Sequence, residues 1–422
     1  MWQAGYRLLL WLASPWVLVR LWWRGRAEPG YRERPGERFG FYVEPPSKPV
    51  IWLHAVSLGE TRGAEPLLRV LQSRHPECEL LITQMTATGR TAAKQLFGDV
   101  RVAWLAYDYP SAVRRFLRHF QPRLGILMET EIWFNLVREC ERRGVPLVLA
   151  NARMSEKSAR GYAAAAPLVR AALARLSAIG AQTAEDAERL LGLGARAVEI
   201  TGNLKFDVVP APGGESLAAG FRSWFGGRKV LLAASTREGE EELLLDALEE
   251  NALGDAVLVI VPRHPQRFDS VAQLLAARGI NFSRRSANAP PEAGCDVVLG
   301  DSMGEMAVYY GASDAAFIGG SLLAYGGQNL IEACAAGVPV LVGPHTYNFA
   351  QAAESAIAAG AAMRVKDAGD AIRQARAILQ DAALRARMGK AGIAFCAAHR
   401  GATDRTLAIC ERLLASSSRA GG

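Results

Sequence analysis

Short apolar runs alternate with amphipathic segments along nearly the whole chain, and this alternation constrains the possible fold most strongly. From residue 49 onward, runs such as PVIWLHAV (49–56) and ELLITQM (79–85) have the composition of buried strands, and each precedes a segment with helical periodicity. Strands that alternate with helices of this length build parallel, doubly wound sheets. The chain is therefore predicted to be an α/β protein.

Two series of such runs predict two domains in a chain of 422 residues, which is too long for one ordinary core. The predicted strands span residues 49–56, 79–85, 100–106, 123–129, 146–152, 177–183 and 197–203, then 229–236, 256–265, 295–302, 314–321 and 338–345. Residues 207–217, rich in Pro and Gly, are the predicted linker. We expect a segment over 1–30, Rossmann-like domains over 31–206 and 218–422, and ligands in a cleft between the two sheets, which is the GT-B architecture.

The first 30 residues form a hydrophobic and basic segment that contains five of the nine tryptophans. Tryptophan prefers the membrane interface, and the arginines that follow, Arg20, Arg24 and Arg26, would be attracted by anionic headgroups. The charge-free run between Arg7 and Arg20 has only twelve residues and contains Pro15, whereas a membrane span needs about 20. We expect a helix that lies in the interface, and a helix buried against the body is the alternative. No small-residue cleavage site follows, which argues against a signal peptide.

The charge balance and the cysteines narrow the class of protein. A net charge of +7 suits an anionic membrane surface, phosphorylated substrates or nucleic acid. Nucleic-acid binding ranks last because the basic residues are not interleaved with aromatic ones in any known module. The six cysteines lack CxxC spacing, so they indicate neither a zinc site nor a disulfide framework, and a reducing compartment is expected.

Acidic and basic residues follow the predicted strands of the first domain. HAVSLGE places Glu60 where a strand turns into a helix, and a carboxylate there can accept a proton from a hydroxyl or satisfy free helix N–H groups. A base at a helix N-terminus needs burial to keep its pKa from falling. LMETEIWFN places Glu129 and Glu131 at another strand end, without the further His or Asp ligands of a metal cage. Lys205, in GNLKFD, is a candidate to neutralise a leaving phosphate.

Two motifs of the second domain are candidates for binding an anion. VPRHPQRF follows a strongly apolar run, and its Arg263 and His264 can bind phosphate or carboxylate. GDSMGEM forms a predicted loop that contains Met303, Gly304 and Glu305. Both motifs lie where a strand becomes a loop, which is where ligands bind in open α/β sheets.

The sequence IGGSLLAYGGQNLIEACAAG is the densest candidate region of the second domain. Its two glycine pairs allow close backbone approach. Gln328 and Asn329 then open a predicted helix whose N–H groups can hold a phosphate, and Glu332 is placed to bind ribose hydroxyls. This combination predicts a nucleotide site.

Taken in order, HAVSLGE, METEIWFN, NARMS, GNLKFD, VPRHPQRF, GDSMGE, GGQNLIEA and GPHTYNF resemble the motifs of the 3-deoxy-D-manno-octulosonic acid (Kdo) transferases. The resemblance covers nearly the whole chain. It implies an inverting GT-B glycosyltransferase that moves Kdo from CMP-Kdo to the lipid A precursor during lipopolysaccharide synthesis. It also implies a location at the cell inner membrane, with the catalytic body facing the cytoplasm, contact with inner-membrane lipids, and no cofactor or metal.

The resemblance also assigns roles to individual residues. The general base falls on Glu60, and the residues that support the transition state fall on Glu129 and Lys205. The acceptor belongs to the N-terminal domain and CMP to the C-terminal domain. The residues implied to contact CMP are Arg263, His264, Met303, Gly304, Glu305, Asn329, Leu330, Ile331 and Glu332.

The sequence departs from the family pattern at two positions. Gln328 stands where many members have His, and Phe134 stands where Pro is common, so the local loop shape is in question. Two alternatives stay open: another GT-B enzyme that uses a UDP-sugar, as a transferase or an epimerase, and a non-enzymatic protein that binds membrane surfaces. The second should have lost some of the acidic or glycine positions, and all of them are present.

Overall fold

The computed structural model describes residues 2–98, 100–208, 213–292 and 294–419. These residues divide into two compact units. The first comprises the chain up to Val208 together with the segment from Arg400 onward, and the second comprises the chain between them. Each unit contains a seven-stranded parallel sheet, which confirms the predicted pair of doubly wound α/β domains.

The sheet of the first unit contains all seven strands that the sequence predicts there. They are β1 (Val50–His54), β2 (Glu79–Gln84), β3 (Arg101–Trp104), β4 (Pro122–Met128), β5 (Leu147–Ala152), β6 (Ala178–Ala181) and β7 (Val198–Ile200). Their spatial order is β3-β2-β1-β4-β5-β6-β7, so the direction of winding reverses between β1 and β4. Ligands of such sheets bind outside the carboxyl ends of the strands at this reversal.

Both faces of this sheet are buried. Trp52 packs into one hydrophobic cluster and its neighbours Ile51 and Leu53 pack into the cluster on the other face. Because successive side chains of a strand point to opposite faces, a strand covered on both sides needs an unbroken apolar run. This explains why β1 has no polar alternation.

Ten helices belong to the first unit among its described residues. They are α1 (Trp2–Ala27), α2 (Leu58–Gly63), α3 (Glu65–Arg74), α4 (Ala87–Phe97), α5 (Pro110–Phe120), α6 (Phe134–Arg142), α7 (Glu156–Ala163), α8 (Ala166–Leu173), α9 (Ala184–Gly192) and α18 (Ala402–Arg419). Short 3₁₀ helices cover Pro29–Arg32, Pro35–Phe39 and Leu204–Asp207.

Helix α18 corrects the predicted domain boundary, which assigned residues 218–422 to the second domain. Its buried side chains Leu407, Ile409, Cys410 and Leu414 pack with Leu53 in a core cluster of the first unit. Asp207 accepts hydrogen bonds from the backbone N–H groups of residues 401 and 403. The chain therefore returns to the first unit, which a pattern of local periodicity does not reveal.

The sheet of the second unit has two strands more than the sequence predicts. It consists of β8 (Val230–Thr236), β9 (Val257–Pro262), β10 (Phe282–Arg284), β11 (Val297–Leu299), β12 (Ala315–Ile318), β13 (Val340–Val342) and β14 (Ala362–Arg364), in the order β10-β11-β9-β8-β12-β13-β14. The two missed strands, β10 and β14, are three-residue edge strands that end in arginine, and short charged strands are a common way to protect a sheet edge. They give no apolar run to detect.

Eight helices belong to the second unit in the part of it that the structure describes. They are α10 (Gly214–Ser223), α11 (Glu240–Glu250), α12 (Phe268–Ala277), α13 (Met306–Gly311), α14 (Ile331–Ala335), α15 (Ala350–Ala358), α16 (Ala368–Gln380) and α17 (Ala382–Ala398). Helix α10 corrects the predicted linker of residues 207–217, because residues 214–217 are helical and Asp207 closes a 3₁₀ helix. The linker positions 209–212 lie outside the described residues.

Helix α1 lies on the first unit with one face and exposes the other. Tyr6 donates a hydrogen bond to Asp108 at 2.9 Å, and its ring packs edge-on against Phe134. Ten large apolar side chains remain exposed: Trp2, Leu8, Leu9, Trp11, Leu12, Trp16, Leu18, Val19, Trp22 and Trp23. The alternative considered for this segment, a helix buried against the body, therefore holds for one face of α1 only. No helix within the described residues has the length and apolarity to cross a membrane.

Candidate functional site

The loops after β1 and β4 meet at the winding reversal of the first sheet. β1 pairs with β4 through His54 and Leu127, so the two carboxyl ends lie side by side. Glu60 follows β1 and Glu129 follows β4 directly. The alternation of strands and helices alone predicts this position for a ligand site.

The carboxylate of Glu60 is fixed by hydrogen bonds at the start of helix α2. Its Oε2 accepts the backbone N–H of Val56 at 2.8 Å, and its Oε1 accepts the Ser57 hydroxyl at 2.9 Å. Ser57 in turn caps the helix by accepting the backbone N–H of Glu60. This reciprocal pair is a variant of the capping box. The capping role and the catalytic role proposed from the sequence are thus compatible, since capping orients the carboxylate.

The pKa of Glu60 is raised from 4.5 to about 7. Burial is the main cause, the nearby charge of Glu129 adds to it, and the hydrogen bonds from Val56 and Ser57 oppose it. The burial that a base at a helix N-terminus requires is therefore present. A carboxylate with a pKa near 7 is half ionised at pH 7. It is therefore a stronger base than an ordinary glutamate, and a good part of it is still in the form that accepts a proton.

Glu129 and Lys205 form an ion pair next to this carboxylate. Lys205 Nζ donates to Glu129 Oε1 at 2.9 Å, and both side chains are largely buried. Glu129 has a φ of +57°, a conformation that non-glycine residues adopt rarely and at an energetic cost. The backbone strain thus lies at Glu129 itself, the residue whose carboxylate pairs with Lys205.

Lys205 is positioned by two asparagine side chains. Asn203 accepts its backbone N–H at 3.0 Å, and Asn151, at the end of β5, accepts the N–H of Leu204 at 3.0 Å. A Cβ added at Gly63 of α2 would lie 3.3 Å from Cγ of Lys205, so the lysine stem packs against the helix that carries Glu60. The structure thus brings together all three residues that the sequence proposes as catalytic.

The second unit places its candidates in the loops that follow β9, β11 and β12, three strands of one sheet. Arg263 Nε donates to Gln328 Oε1 at 3.1 Å. The pKa of His264 is lowered by burial and by the charges of Arg237, Arg263 and Arg267, which keeps the ring neutral near pH 7. Gln328, the departure from the family pattern, therefore orients Arg263.

Met303, Gly304 and Glu305 form an exposed loop after β11. Gly304 has a φ of +84°, which glycine adopts without strain. Glu305 accepts a hydrogen bond from Arg285 Nη2 at 2.9 Å and another from the hydroxyl of Ser302. The Glu305 carboxylate is thereby held in place.

Helix α14 begins at Ile331, three residues after Gln328, where the predicted helix opens. Asn329 accepts the N–H of Ile331 at 3.1 Å and donates to Glu332 Oε1 at 2.9 Å. Asn329 thus already satisfies one of the N–H groups that the prediction offered to a phosphate. The side chains of Leu330 and Ile331 are buried in the core, so only their backbone is available for a nucleotide.

Two residues of this region, Arg237 and Glu240, are not among the candidates that the sequence motifs indicate. Glu240 is fully buried and accepts the backbone N–H groups of Arg237, Gly320 and Leu322, so it holds the loops after β8 and β12 together. The guanidinium of Arg237 lies over the ring of Tyr325 at 4.5 Å. Arg237 directly follows the strand KVLLAAST and Glu240 begins the next helix, so the rule that found Glu60 after a strand end would have found them.

No group of three or more His, Cys, Asp or Glu side chains is arranged to hold a metal ion within the described residues.

Comparison with known proteins decides the family. Residues 33–208 match the family model for 3-deoxy-D-manno-octulosonic-acid transferase, and residues 242–395 match the model for glycosyl transferases group 1. The 3-deoxy-D-manno-octulosonic acid transferase of Bordetella pertussis is 45% identical over 97% of this chain and 99% of its own length. The chain belongs to this family. The Haemophilus influenzae transferase is 37% identical over 98% of this chain and 99% of its own length. The resemblance of the motifs is thereby confirmed, and the protein is a glycosyltransferase of the Kdo transferase family.

Solved structures support the architecture. UDP-GlcNAc 2-epimerase from Neisseria meningitidis, bound to UDP-GlcNAc, superposes with a TM-score of 0.59 over 86% of this chain and 99% of its own. A glycosyltransferase from Rickettsia africae gives the same TM-score over 87% and 99%. Their identities to this chain are 16% and 12%, so these similarities concern the fold alone and do not bear on the choice of nucleotide.

Proposed function

We propose that this protein transfers Kdo from CMP-Kdo to the lipid A precursor, with inversion at the anomeric carbon, in lipopolysaccharide synthesis. The observation that supports it most directly is the 45% identity over nearly the whole length of a Kdo transferase. The arrangement of Glu60, Glu129 and Lys205 at one sheet reversal adds independent support, because it has the chemistry that glycosyl transfer needs.

Glu60 acts as the general base in this proposal. Its carboxylate accepts the proton of the acceptor hydroxyl as that oxygen attacks the anomeric carbon, and CMP leaves from the opposite side. A pKa of about 7 makes the carboxylate a stronger base than an ordinary glutamate, while about half of it is still ionised at pH 7.

Glu129 and Lys205 support the transition state. The ammonium group of Lys205 carries the positive charge that would balance the charge developing during transfer, and its ion pair with Glu129 holds it in position. A lysine with three rotatable donors can keep this contact and still bind a second anionic group.

The second unit holds the donor. Arg263 and neutral His264 bind the phosphate or the Kdo carboxylate, while the Met303–Glu305 loop and the Asn329–Glu332 segment contact cytidine and ribose. Asn329 and Glu332 are linked to each other by a hydrogen bond, so a ribose hydroxyl would meet a prearranged acceptor. We propose that no metal or other cofactor takes part.

Helix α1 attaches the protein to the cytoplasmic face of the inner membrane as a peripheral anchor. Its ten exposed apolar side chains and the basic residues of its last turn, Arg24 and Arg26, are suited to the boundary between acyl chains and anionic headgroups. This location would place the protein next to a lipid acceptor.

Donor choice tests the proposal against the UDP-sugar alternative. Purified full-length protein is incubated with the lipid A precursor and either labelled CMP-Kdo or labelled UDP-N-acetylglucosamine. We expect label in the lipid only from CMP-Kdo, and stronger binding of CMP than of UMP by calorimetry. Transfer from the UDP-sugar, or its epimerisation, with none from CMP-Kdo would refute the assignment.

A further inference from the structure

Val56 and Ser57 form the turn between β1 and α2, here called the 56–57 turn, and this turn is held by hydrogen bonds on all sides. Its Val56 N–H and Ser57 hydroxyl donate to the carboxylate of Glu60. Its two backbone carbonyl groups accept side-chain hydroxyls. Thr86 Oγ1 donates to the Val56 carbonyl at 2.9 Å, and Thr61 Oγ1 donates to the Ser57 carbonyl at 2.9 Å. The orientation of the Glu60 carboxylate therefore depends on groups that do not touch it.

Gln84, the last residue of β2, connects this turn to the neighbouring strand. Both Gln84 and Thr61 are fully buried, and Gln84 Nε2 donates to Thr61 Oγ1 at 2.8 Å. The one hydroxyl hydrogen of Thr61 is used on the Ser57 carbonyl, so the hydroxyl can only accept from Gln84, and this fixes which end of the amide faces it. Gln84 thus acts on the 56–57 turn through Thr61.

The other end of the Gln84 amide destabilises the fold. Its Oε1 is buried and has no hydrogen-bond partner among the described residues. A Cβ added at Gly89, in the first turn of α4, would collide with this oxygen, so the amide lies directly against α4. A buried oxygen without a partner is costly, whereas methionine would fill a similar space with no unpaired polar atom. Stability alone therefore does not account for a glutamine at this position.

The surroundings of Glu60 make the hold of this turn important. The charged groups that face α2 from other elements are Glu129 and Glu131, which follow β4, and Lys205, whose stem packs against α2. Burial and the two glutamates favour the protonated form of Glu60, and the hydrogen bonds from the 56–57 turn favour the ionised form, which accepts a proton. A turn that is held less firmly would leave Glu60 less ionised and less well aimed.

We propose that Gln84 is a positioning residue for Glu60 and acts through Thr61 and the 56–57 turn. This inference rests on the proposed function, in which Glu60 is the general base. It assigns to Gln84 a contribution to the rate of transfer and none to stability. Small displacements of a reacting group lower rates strongly even when the mutated residue is far from the chemistry.

Gln84→Met tests this proposal most directly, because it leaves no polar group unpaired. The Thr61 hydroxyl still donates to the Ser57 carbonyl, and the buried Oε1 is removed. We expect the variant to melt at or above the wild-type temperature and to bind CMP as the wild type does. We expect kcat to fall about tenfold and the midpoint of the rise of rate with pH to increase by about half a pH unit. A wild-type kcat, or a midpoint that does not increase, would overturn the inference.

Two variants of Thr61 form a matched pair and decide the question if Gln84→Met does not melt cooperatively. Thr61→Val removes the hydroxyl and keeps the N–H bond to the Ser57 carbonyl at 3.0 Å, whereas Thr61→Ser keeps both. We expect the valine variant to show the lower kcat and the higher midpoint, and the serine variant to restore the wild-type values. Thr406→Val is the control, since Thr406 is equally buried and its hydroxyl has no hydrogen-bond partner among the described residues. Equal behaviour of the two Thr61 variants would overturn the inference.

A measurement without substrates separates this inference from the proposed function. The free energy of unfolding is measured against pH for the wild type and for Gln84→Met, each with and without Glu60→Gln. The difference within each pair reports the pKa of Glu60 in the folded protein. We expect the stabilising contribution of Glu60 to go on falling to a higher pH in the Gln84→Met background. Absence of Kdo transfer by the wild type would refute the proposed function and leave this difference intact, whereas identical differences in the two backgrounds would overturn the inference.

Discussion

Replacement of Glu60 by Gln removes the proposed base and leaves the local structure intact. The amide oxygen of Gln can still accept the N–H of Val56, and its NH₂ group can donate to the hydroxyl oxygen of Ser57. The variant is therefore expected to fold and to bind CMP as the wild type does. Loss of a general base typically costs about 10²–10⁴-fold in rate, and we expect a fall of this size in kcat.

The pH dependence gives a second, independent signature. With a pKa of about 7, the rate of the wild type should rise with pH up to about 7 and then level off, because only the ionised carboxylate accepts the proton. The residual rate of Glu60→Gln should lack this rise. Initial rates of label transfer from CMP-Kdo between pH 5 and 9 measure both profiles.

As the pH rises, the contribution of Glu60 to the stability of the fold falls, whereas its contribution to activity increases. Because burial raises the Glu60 pKa above 4.5, the folded state binds more protons than the unfolded state between pH 4.5 and about 7, and this contribution to stability is lost as the pH rises through that window. The full rise in pKa corresponds to at most about 3 kcal/mol, and partial contact with solvent reduces it to about 2 kcal/mol. Glu60→Gln should therefore melt several degrees higher at pH 8.5 and nearly with the wild type at pH 4.5.

A matched control is Glu65→Gln at the start of the next helix. Glu65 pairs with Arg69 on the surface and is outside the proposed site, so this variant should keep the wild-type rate and pH profile. Wild-type kcat in Glu60→Gln, or a wild-type pH rise in its residual activity, would show that Glu60 is not the base. If Glu60→Gln melted at a lower temperature than the wild type at pH 8.5, the buried charge of Glu60 would not destabilise the fold as argued.

Three further perturbations test other parts of the account. Lys205→Met should lower kcat about 100-fold and lower the melting temperature, because it leaves Glu129 without its ammonium partner; adding Glu129→Gln should recover stability but not activity, and recovery of both would contradict the role of the pair. Replacing Trp16 and Trp22 by Gln should weaken sedimentation with phosphatidylglycerol vesicles several-fold without changing CMP binding, whereas unchanged sedimentation would remove α1 as the anchor. Chelation with EDTA should leave transfer from CMP-Kdo unchanged, and a loss that Mg²⁺ restores would show that a metal takes part.

Local sequence pattern was sufficient for most of the fold. The apolar runs predict all seven strands of the first sheet because strands buried on both faces, such as β1, have no polar alternation. β10 and β14 were missed because three residues at a sheet edge bury little. The return of α18 to the first unit was missed for another reason. It depends on packing within one core cluster that holds both Leu407 and Leu53, residues more than 300 positions apart, and periodicity reports only neighbours.

The positions of the candidate site residues could also be predicted from the sequence, but their electrostatic properties could not. Chemical groups that follow a strand end, such as Glu60, Glu129 and Lys205, are visible in the sequence, and topology brings them together. Their electrostatics are not visible, since the raised pKa of Glu60 depends on burial and on the charge of Glu129.

The central claim is that Kdo is transferred to a lipid, and the mass of the product tests it most directly. Full-length protein is incubated with CMP-Kdo and the lipid A precursor, and the lipid is extracted and weighed by mass spectrometry. We expect the precursor to gain one or more Kdo residues, with one CMP released for each, and Glu60→Gln to give almost none. An unmodified lipid with active protein and intact donor, or a lipid that gains a hexose from a UDP-sugar instead, would contradict the account.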